Sequence, residues 1–172
     1  LHPVLPCPTP ERAAATLPGA TFALEGEPAA LPVLEALVAQ LGGHAFRLDA
    51  PQKARYHAAL VMASNLVLAL LDAAAAELGA AGAGDATPAL LGLAAQAVAE
   101  AQTLGIREGL TGPALRGDAT TVARHLGALG PEARPLYAAL TRRAVAMAGT
   151  RGLSEIDVAR LLALLGKPGE GS

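Results

Sequence analysis

Four polar side chains are spaced as a stripe along one predicted helix. They are Lys53 and His57, which precede a run of Ala, Leu, Val and Met, and Ser64 and Asn65, which interrupt that run. At about 100° per residue on a helix, Lys53, His57 and Ser64 fall within about 40° of one another, and Asn65 lies about 80° from His57. If this stripe faces a cleft, His57 can act as a general acid or base, or donate to a substrate carbonyl. Lys53, Ser64 and Asn65 would then orient the ligand as hydrogen-bond donors.

The same stripe has a purely structural interpretation. Lys53 and His57 would be exposed in the first turns of the helix, whereas Ser64 and Asn65 would hydrogen-bond to neighbouring helices. In both interpretations, any side chain of the stripe that is buried needs a hydrogen-bond partner, because a buried polar group without one costs about 1–3 kcal/mol. The spacing alone leaves both open.

A second group of candidates lies in the segment from Leu110 to Asp118. Gly112 and Pro113 fix a loop, and Asp118 is a good N-cap for the helix that follows. Backbone N–H groups at that helix start, with Arg116 beside them, could bind the carboxylate or phosphate of a substrate. Alternatively, Asp118 occupies those donors and repels an anion, and Arg116 forms an ion pair. We expect no metal site, since the histidines lack ligand spacing.

The elements that must position these residues begin with a predicted helix from Pro51 to about Leu78. From Ala58 to Leu71 it is apolar around almost its whole circumference, apart from Ser64 and Asn65. A helix of this kind is either a membrane span or the centre of a bundle. The apolar run is about fourteen residues, shorter than the ~18–20 of a span. We therefore predict a central, buried helix.

The first fifty residues have the pattern of a small α/β unit. Residues 1–10 contain four prolines and are expected to form an extended segment or edge strand. Residues 21–26 and 44–48 read as strands, and residues 31–41 have the spacing of an amphipathic helix. This order predicts a βαβ unit with parallel strands. Two strands make a poor sheet, so we expect the others to come from upstream residues or a partner chain.

The rest of the chain is predicted to be helical. Further helices are expected at about 88–103, 119–129, 132–148 and 155–165, with Asp118 and Ser154 as N-caps. The predicted organisation is a C-terminal fragment of an α/β domain at 1–50, a helical domain at 51–166 and a flexible tail at 167–172.

Composition restricts the partners. The chain has 172 residues, a net charge of −2 and only 2% aromatic residues. Neither a basic patch nor a stacking surface is evident, so we expect no nucleic acid and no membrane as partners. The single Cys7 cannot form an internal disulfide, and no signal peptide is recognisable. We expect a cytoplasmic protein.

Several motifs together carry a resemblance to a known family. They are His2-Pro3, the run Tyr56-His57-Ala58-Ala59 continuing to Ala63-Ser64-Asn65, and Thr111-Gly112-Pro113 leading through Arg116-Gly117-Asp118 to Leu126. The chain resembles the Rossmann-like oxidoreductases whose helical half is the domain of unknown function 2520. Their layout is similar to 6-phosphogluconate dehydrogenase and ketopantoate reductase.

This resemblance implies a mainly α fold, in which a C-terminal helical bundle follows a βαβ remnant of a Rossmann domain. It implies NAD or NADP as cofactor, although the Gly-rich phosphate loop is absent from these residues. It also implies a homodimer through the helical domain and a cleft faced by His57, Ser64 and Asn65. We expect the substrate-binding and dimerisation part of an oxidoreductase that acts on a small carboxylate or imine. The alternative is a non-catalytic helical dimerisation or ligand-sensing module.

Overall fold

The computed structural model of the chain describes residues 1–6 and 9–166. Cys7 and the tail predicted at 167–172 lie outside the described residues. The chain forms two compact units, Leu1–Ala69 and Leu70–Ser172. Residues 51–69 thus group with the first unit, whereas the sequence analysis predicts a domain boundary at residue 50.

The first unit contains a three-stranded sheet. Strand β1 (His2–Pro3) precedes helix α1 (Pro10–Thr16), strand β2 (Thr21–Leu24), helix α2 (Leu31–Gln40) and strand β3 (His44–Arg47). The strand order is β1-β2-β3, with β2 and β3 parallel and β1 antiparallel to β2. The predicted βαβ unit and the proline-rich edge strand are both confirmed. The third strand is thus the edge strand predicted within residues 1–10, and the described residues contain no further strand from upstream.

The core of this unit lies between β2 and α2. Phe22, Leu24 and Val38 are fully buried and pack together. The turn after α2 needs Gly43, because a Cβ there would lie 2.5 Å from the Ala20 carbonyl oxygen. Gly42, at φ 64°, precedes it, which confirms that this glycine pair ends the helix.

The predicted central helix is two helices. After a 3₁₀ turn at Ala50–Gln52, helix α3 runs over Lys53–Ala63 and helix α4 over Asn65–Ala80. The break falls at Ser64, whose backbone has φ −126° and ψ −83°. Its hydroxyl donates to the Leu60 carbonyl oxygen at 2.7 Å, a bond that competes with regular helix geometry.

The prediction that this stretch is buried is wrong for the described chain. Neither α3 nor α4 contains a buried residue, and Met62 and Leu68 are 65% and 68% exposed. The expectation failed because an apolar sequence shows that a helix must be covered, but not that its own chain covers it.

This stretch also passes a simple test for a membrane span. Ala50–Ala80 is long and apolar enough by length and composition, because an 18-residue window within it has a mean hydropathy of 1.9. Our expectation of a run too short to span counted only the uninterrupted apolar core. A helix that packs against a protein partner passes the same test.

The second unit is helical. Helix α5 (Thr87–Leu104) is followed by helices α6 (Ala119–Ala128), α7 (Ala133–Gly149) and α8 (Glu155–Leu164). Asp118 and Ser154 cap α6 and α8 as predicted, accepting hydrogen bonds from the N–H groups of Thr121 and Asp157. Its core is formed by α6, α7 and α8, with five buried residues, Ala114, Val122, Val145, Leu161 and Leu165. The mainly α fold with a short βαβ remnant is confirmed.

Candidate functional site

A pocket in the first unit gathers polar side chains beyond the carboxyl ends of the parallel strands. Strand β2 ends at Leu24 and β3 at Arg47, and the chain then turns through residues 50–52 into α3. The pocket has a volume of about 470 Å³ and is lined by His2, Ala50, Pro51, Lys53, Ala54, Tyr56 and His57. In open α/β sheets, ligands bind in the crevice outside this edge. The pocket thus lies at the corresponding edge of the one parallel strand pair in the described residues.

Lys53 lies at this pocket with an acidic neighbour. Its Nζ is 2.6 Å from Oε2 of Glu25, the residue that follows β2. The two side chains are 66% and 30% exposed, so the pair adds little to stability. An ammonium group has three donors, so Glu25 leaves others available for a ligand carboxylate.

Tyr56 is held by aromatic neighbours on two sides. Its hydroxyl lies 3.1 Å from Nδ1 of His2, and its ring makes edge contacts with His2 and Phe46 at centroid distances of 5.7 and 5.8 Å. Desolvation by burial raises the pKa of Tyr56 above its ordinary value. The phenol therefore keeps its proton at neutral pH and can donate it in a hydrogen bond.

His57 completes the group from the next position on α3. Its ring lies 6.3 Å from the ring of His2, nearly perpendicular to it. Lys53 and His57, one helical turn apart, line the same pocket, as the predicted stripe requires. The structure therefore brings together Lys53 and His57 and adds His2 and Tyr56, which the stripe did not include.

Ser64 and Asn65 lie at the helix break and do not line this pocket. The Ser64 hydroxyl contacts Oδ1 of Asn65 at 3.0 Å, in addition to its bond to Leu60. Since α3 ends at Ala63, the angle that related Asn65 to His57 on one continuous helix does not apply. Their predicted bonds to neighbouring helices are replaced by bonds within the break.

The loop that carries Gly112, Pro113 and Arg116 belongs to the second unit. Gly112 has φ 90°, which favours glycine, and Arg116 is exposed and forms no ion pair within the described residues. Asp118 accepts the Thr121 N–H at 3.0 Å. As the second interpretation requires, the cap occupies one of the donors that an anion would use, but the predicted ion pair of Arg116 is absent.

Asp118 has an altered acidity as a result. Side-chain and then backbone hydrogen bonds from Thr121 hold the pKa of this carboxyl below its ordinary 3.8, with a smaller contribution from Arg116 and Arg124. A carboxylate that stays ionised beside the loop weakens any anion site there.

The same loop is anchored by a residue that sequence reasoning missed. Arg151, in the turn after α7, donates from Nη1 to the carbonyl oxygens of Arg107 and Leu110 at 3.0 and 2.8 Å. Its Nε lies 3.2 Å from Oε2 of Glu108. Nothing in the local pattern around Arg151 indicates this contact, because it joins residues more than forty positions apart.

His2 and Tyr56 were likewise not predicted as site residues. His2 reads as one of several scattered histidines, and Tyr56 as part of a family motif. The available signal was topological: an edge strand that pairs His2 with Ala23 brings it to the carboxyl end of β2. In the described part of the chain, no group of three or more His, Cys, Asp or Glu residues could hold a metal ion.

Comparison with protein families identifies a family for this chain. The family model named "Domain of unknown function (DUF2520)" matches residues 20–144, which is most of the chain. The chain belongs to the DUF2520 family. This confirms the resemblance at the level of that domain, while the family's description states no activity. No curated protein and no solved structure matches the chain at a significant level.

Proposed function

We propose that this DUF2520 chain is the substrate-binding and dimerisation part of an NAD(P)-dependent oxidoreductase acting on a small carboxylate or imine. The observation that supports it is the polar pocket of His2, Lys53, Tyr56 and His57 beyond the carboxyl ends of β2 and β3. A surface with only a structural role does not require an ammonium group, a phenol and two imidazoles around one cavity.

The residues of this pocket have complementary roles in the proposal. Lys53 binds the substrate carboxylate as a point charge that is only partly neutralised by Glu25. Tyr56, kept protonated and oriented by His2, hydrogen-bonds to the carbonyl oxygen or imine nitrogen. His57 exchanges a proton with the same atom as general acid or base.

The described residues do not fit the phosphates of a dinucleotide. The loop from β2 into α2 carries Glu25 and Glu27 and contains no Gly-x-Gly-x-x-Gly segment, and Ala30 gives α2 no side-chain cap bond. Two carboxylates at this position repel a pyrophosphate. NAD or NADP would supply hydride chemistry only when held by a complete Rossmann domain.

The remaining predicted site residues stay predictions. Ser64 and Asn65 are proposed to orient the ligand if the break between α3 and α4 opens toward it. Gly112, Pro113 and Arg116 stay proposed substrate-binding residues. We further propose a cytoplasmic homodimer whose partners include neither nucleic acid nor membrane.

Histidine substitution tests the proposal directly. The complete protein is given NADPH and a panel of 2-keto acids and cyclic imines. We expect turnover of one member and at least a hundredfold loss in His57→Ala, the order of a general acid–base contribution. His125→Ala is the matched control, because His125 is also an exposed histidine on a helix but does not line this pocket, and its Nδ1 lies 2.8 Å from the Tyr137 hydroxyl. Equal turnover in wild type and His57→Ala would refute the assignment.

A non-catalytic dimerisation or ligand-sensing module is the second candidate. It is favoured by the exposed apolar side chains of α3 and α4, including Met62, Leu66 and Leu68. A dimer without turnover, and without a rise in melting temperature when NADPH is added, would favour it over the oxidoreductase.

A further inference from the structure

We propose that helix α5 of a second copy of this chain docks in the groove between α4 and α7. The inference rests on the dimerisation part of the proposed function and names the surfaces that form it. Its failure is distinguishable from failure of the catalytic proposal, because His2, Lys53, Tyr56 and His57 contribute to neither surface.

The groove has two apolar helical walls. Leu70, Ala74 and Glu77 project from α4, and Leu136, Tyr137 and Leu140 project from α7, to enclose about 490 Å³. The three- and four-residue spacings put each set on one face of its helix. In the described chain no Cα of α4 lies within 8 Å of a Cα of α7, so the two helices frame a gap instead of packing together.

Helix α5, like α3 and α4, contains no buried residue within the described chain. Of its apolar side chains, Leu91, Leu93 and Val98 are 51%, 65% and 57% exposed, and Leu91 and Val98, two turns apart, share one face. Among the described helices and strands, only the short 3₁₀ turn that precedes it, Gly84–Ala86, has a Cα within 8 Å of a Cα of α5. An exposed apolar face of a helix is normally covered by a partner.

The charges of the two surfaces agree with this docking. Glu100 is the single charged residue among the eighteen of α5, and Glu77 is the single charged residue that lines the groove. The Glu77 carboxylate already accepts the Gly130 N–H at 3.2 Å. A nearly uncharged helix can therefore enter the groove without leaving a new buried charge unpaired.

The geometry also fits a helix in a groove. Each wall repeats apolar side chains over about three turns, or roughly 17 Å, and α5 is about 27 Å long. Gly92, Ala95 and Ala99 keep parts of its surface small, so the helix axes can approach to about 8–10 Å.

The exposed helix α5 and the groove between α4 and α7 belong to the same chain, and we therefore assign a second copy of the chain as the occupant. In a two-fold dimer each chain lends its α5 to the partner's groove, so both unpartnered surfaces are covered by one symmetric arrangement. A heterologous protein would cover only one of them.

Charge substitutions on α5 provide the first test. The variant with Leu91→Glu and Val98→Glu, which alters no buried residue, should run as a monomer in light scattering, whereas the wild type runs at twice the chain mass. Ile156→Glu, at a residue of α8 that is 72% exposed and outside the groove, should remain a dimer. A wild-type monomer, or a dimer that tolerates the α5 charges, would overturn the proposal.

Disulfide trapping provides the second test, and it holds even if those charges unfold the helix. In a Cys7→Ser background, one preparation carries Val98→Cys and another carries Leu136→Cys. Mixing and oxidation should give a disulfide-linked pair of copies. A third preparation carries both cysteines in one chain. If the mixture gives no linked pair, or if a disulfide forms only within the doubly substituted chain, α5 does not dock on a second copy.

Discussion

At the scale of single residues, the candidate site depends on the contact between Tyr56 and His2. Burial raises the pKa of Tyr56, so the phenol stays protonated and serves as a donor over the physiological range. Its hydroxyl is anchored by one exposed contact of 3.1 Å. The contact is therefore of small value for stability, and its importance in our proposal is to orient the donor.

The substitution Tyr56→Phe separates the effect of this hydroxyl on stability from its effect on turnover. We expect at least a tenfold fall in turnover, because the donor to the substrate is lost, but a change in unfolding free energy below about 1 kcal/mol, since the hydrogen bond is exposed. Turnover assays and urea denaturation measure the two quantities. The control is His125→Ala, which removes the equivalent histidine–tyrosine contact in the second unit. A large loss of stability with unchanged turnover would make Tyr56 a structural residue.

At the scale of elements, the segment from Gly105 to Asp118 depends on Arg151. We expect Arg151→Ala to lower the unfolding free energy by about 2 kcal/mol, because two carbonyl oxygens lose a charged donor. Arg143→Ala, at an exposed arginine of α7, should change it by less than about 0.5 kcal/mol. Chemical denaturation provides the comparison, and equal effects of the two substitutions would contradict the anchoring role.

The N-cap of α6 should make stability depend on pH in acid. Because the folded pKa of Asp118 is depressed, its contribution is present above the unfolded pKa near 3.8 and is lost as the pH falls through the folded value. We expect the stability difference between wild type and Asp118→Asn to be constant above about pH 5 and to shrink progressively below it. Thermal melts of both proteins from pH 7 to pH 2.5 measure this difference. A constant difference over that range would contradict the assignment.

The elements themselves followed closely from local signals. The parallel pair β2 and β3, the glycines that end α2 and the caps at Asp118 and Ser154 were all predictable, because each depends on a few adjacent residues. The break at Ser64 was not, since a single hydroxyl bonded to Leu60 interrupts an apolar run that otherwise favours one helix. Half of the candidate site was predictable for the same reason. Lys53 and His57 share a helix face, whereas His2 reaches them only through strand pairing.

At the scale of the whole molecule, burial was the property that sequence predicted worst. The apolar content of α3, α4 and α5 correctly signals surfaces that need a cover. It does not specify whether the cover is another part of the chain, a second copy or lipid. Within the described chain these helices contain no buried residue. An intermolecular cover is consistent with the large exposed side chains that remain on them.

We expect experiment to exclude lipid as the cover of the exposed apolar helices α3 and α4. The longest uncharged run within Ala50–Ala80 extends from Tyr56 to Leu71, about 24 Å of helix, against a hydrocarbon core of about 30 Å. It also contains the Ser64 break, and Arg55 and Asp72 flank it. We expect the protein to stay in solution without detergent and to remain at the bottom of a density gradient when neutral phosphatidylcholine vesicles float. Replacing both Leu66 and Leu68 with Glu should leave that distribution unchanged. Flotation of the wild type, abolished in this variant, would instead identify the exposed face of α4 as a membrane-binding surface.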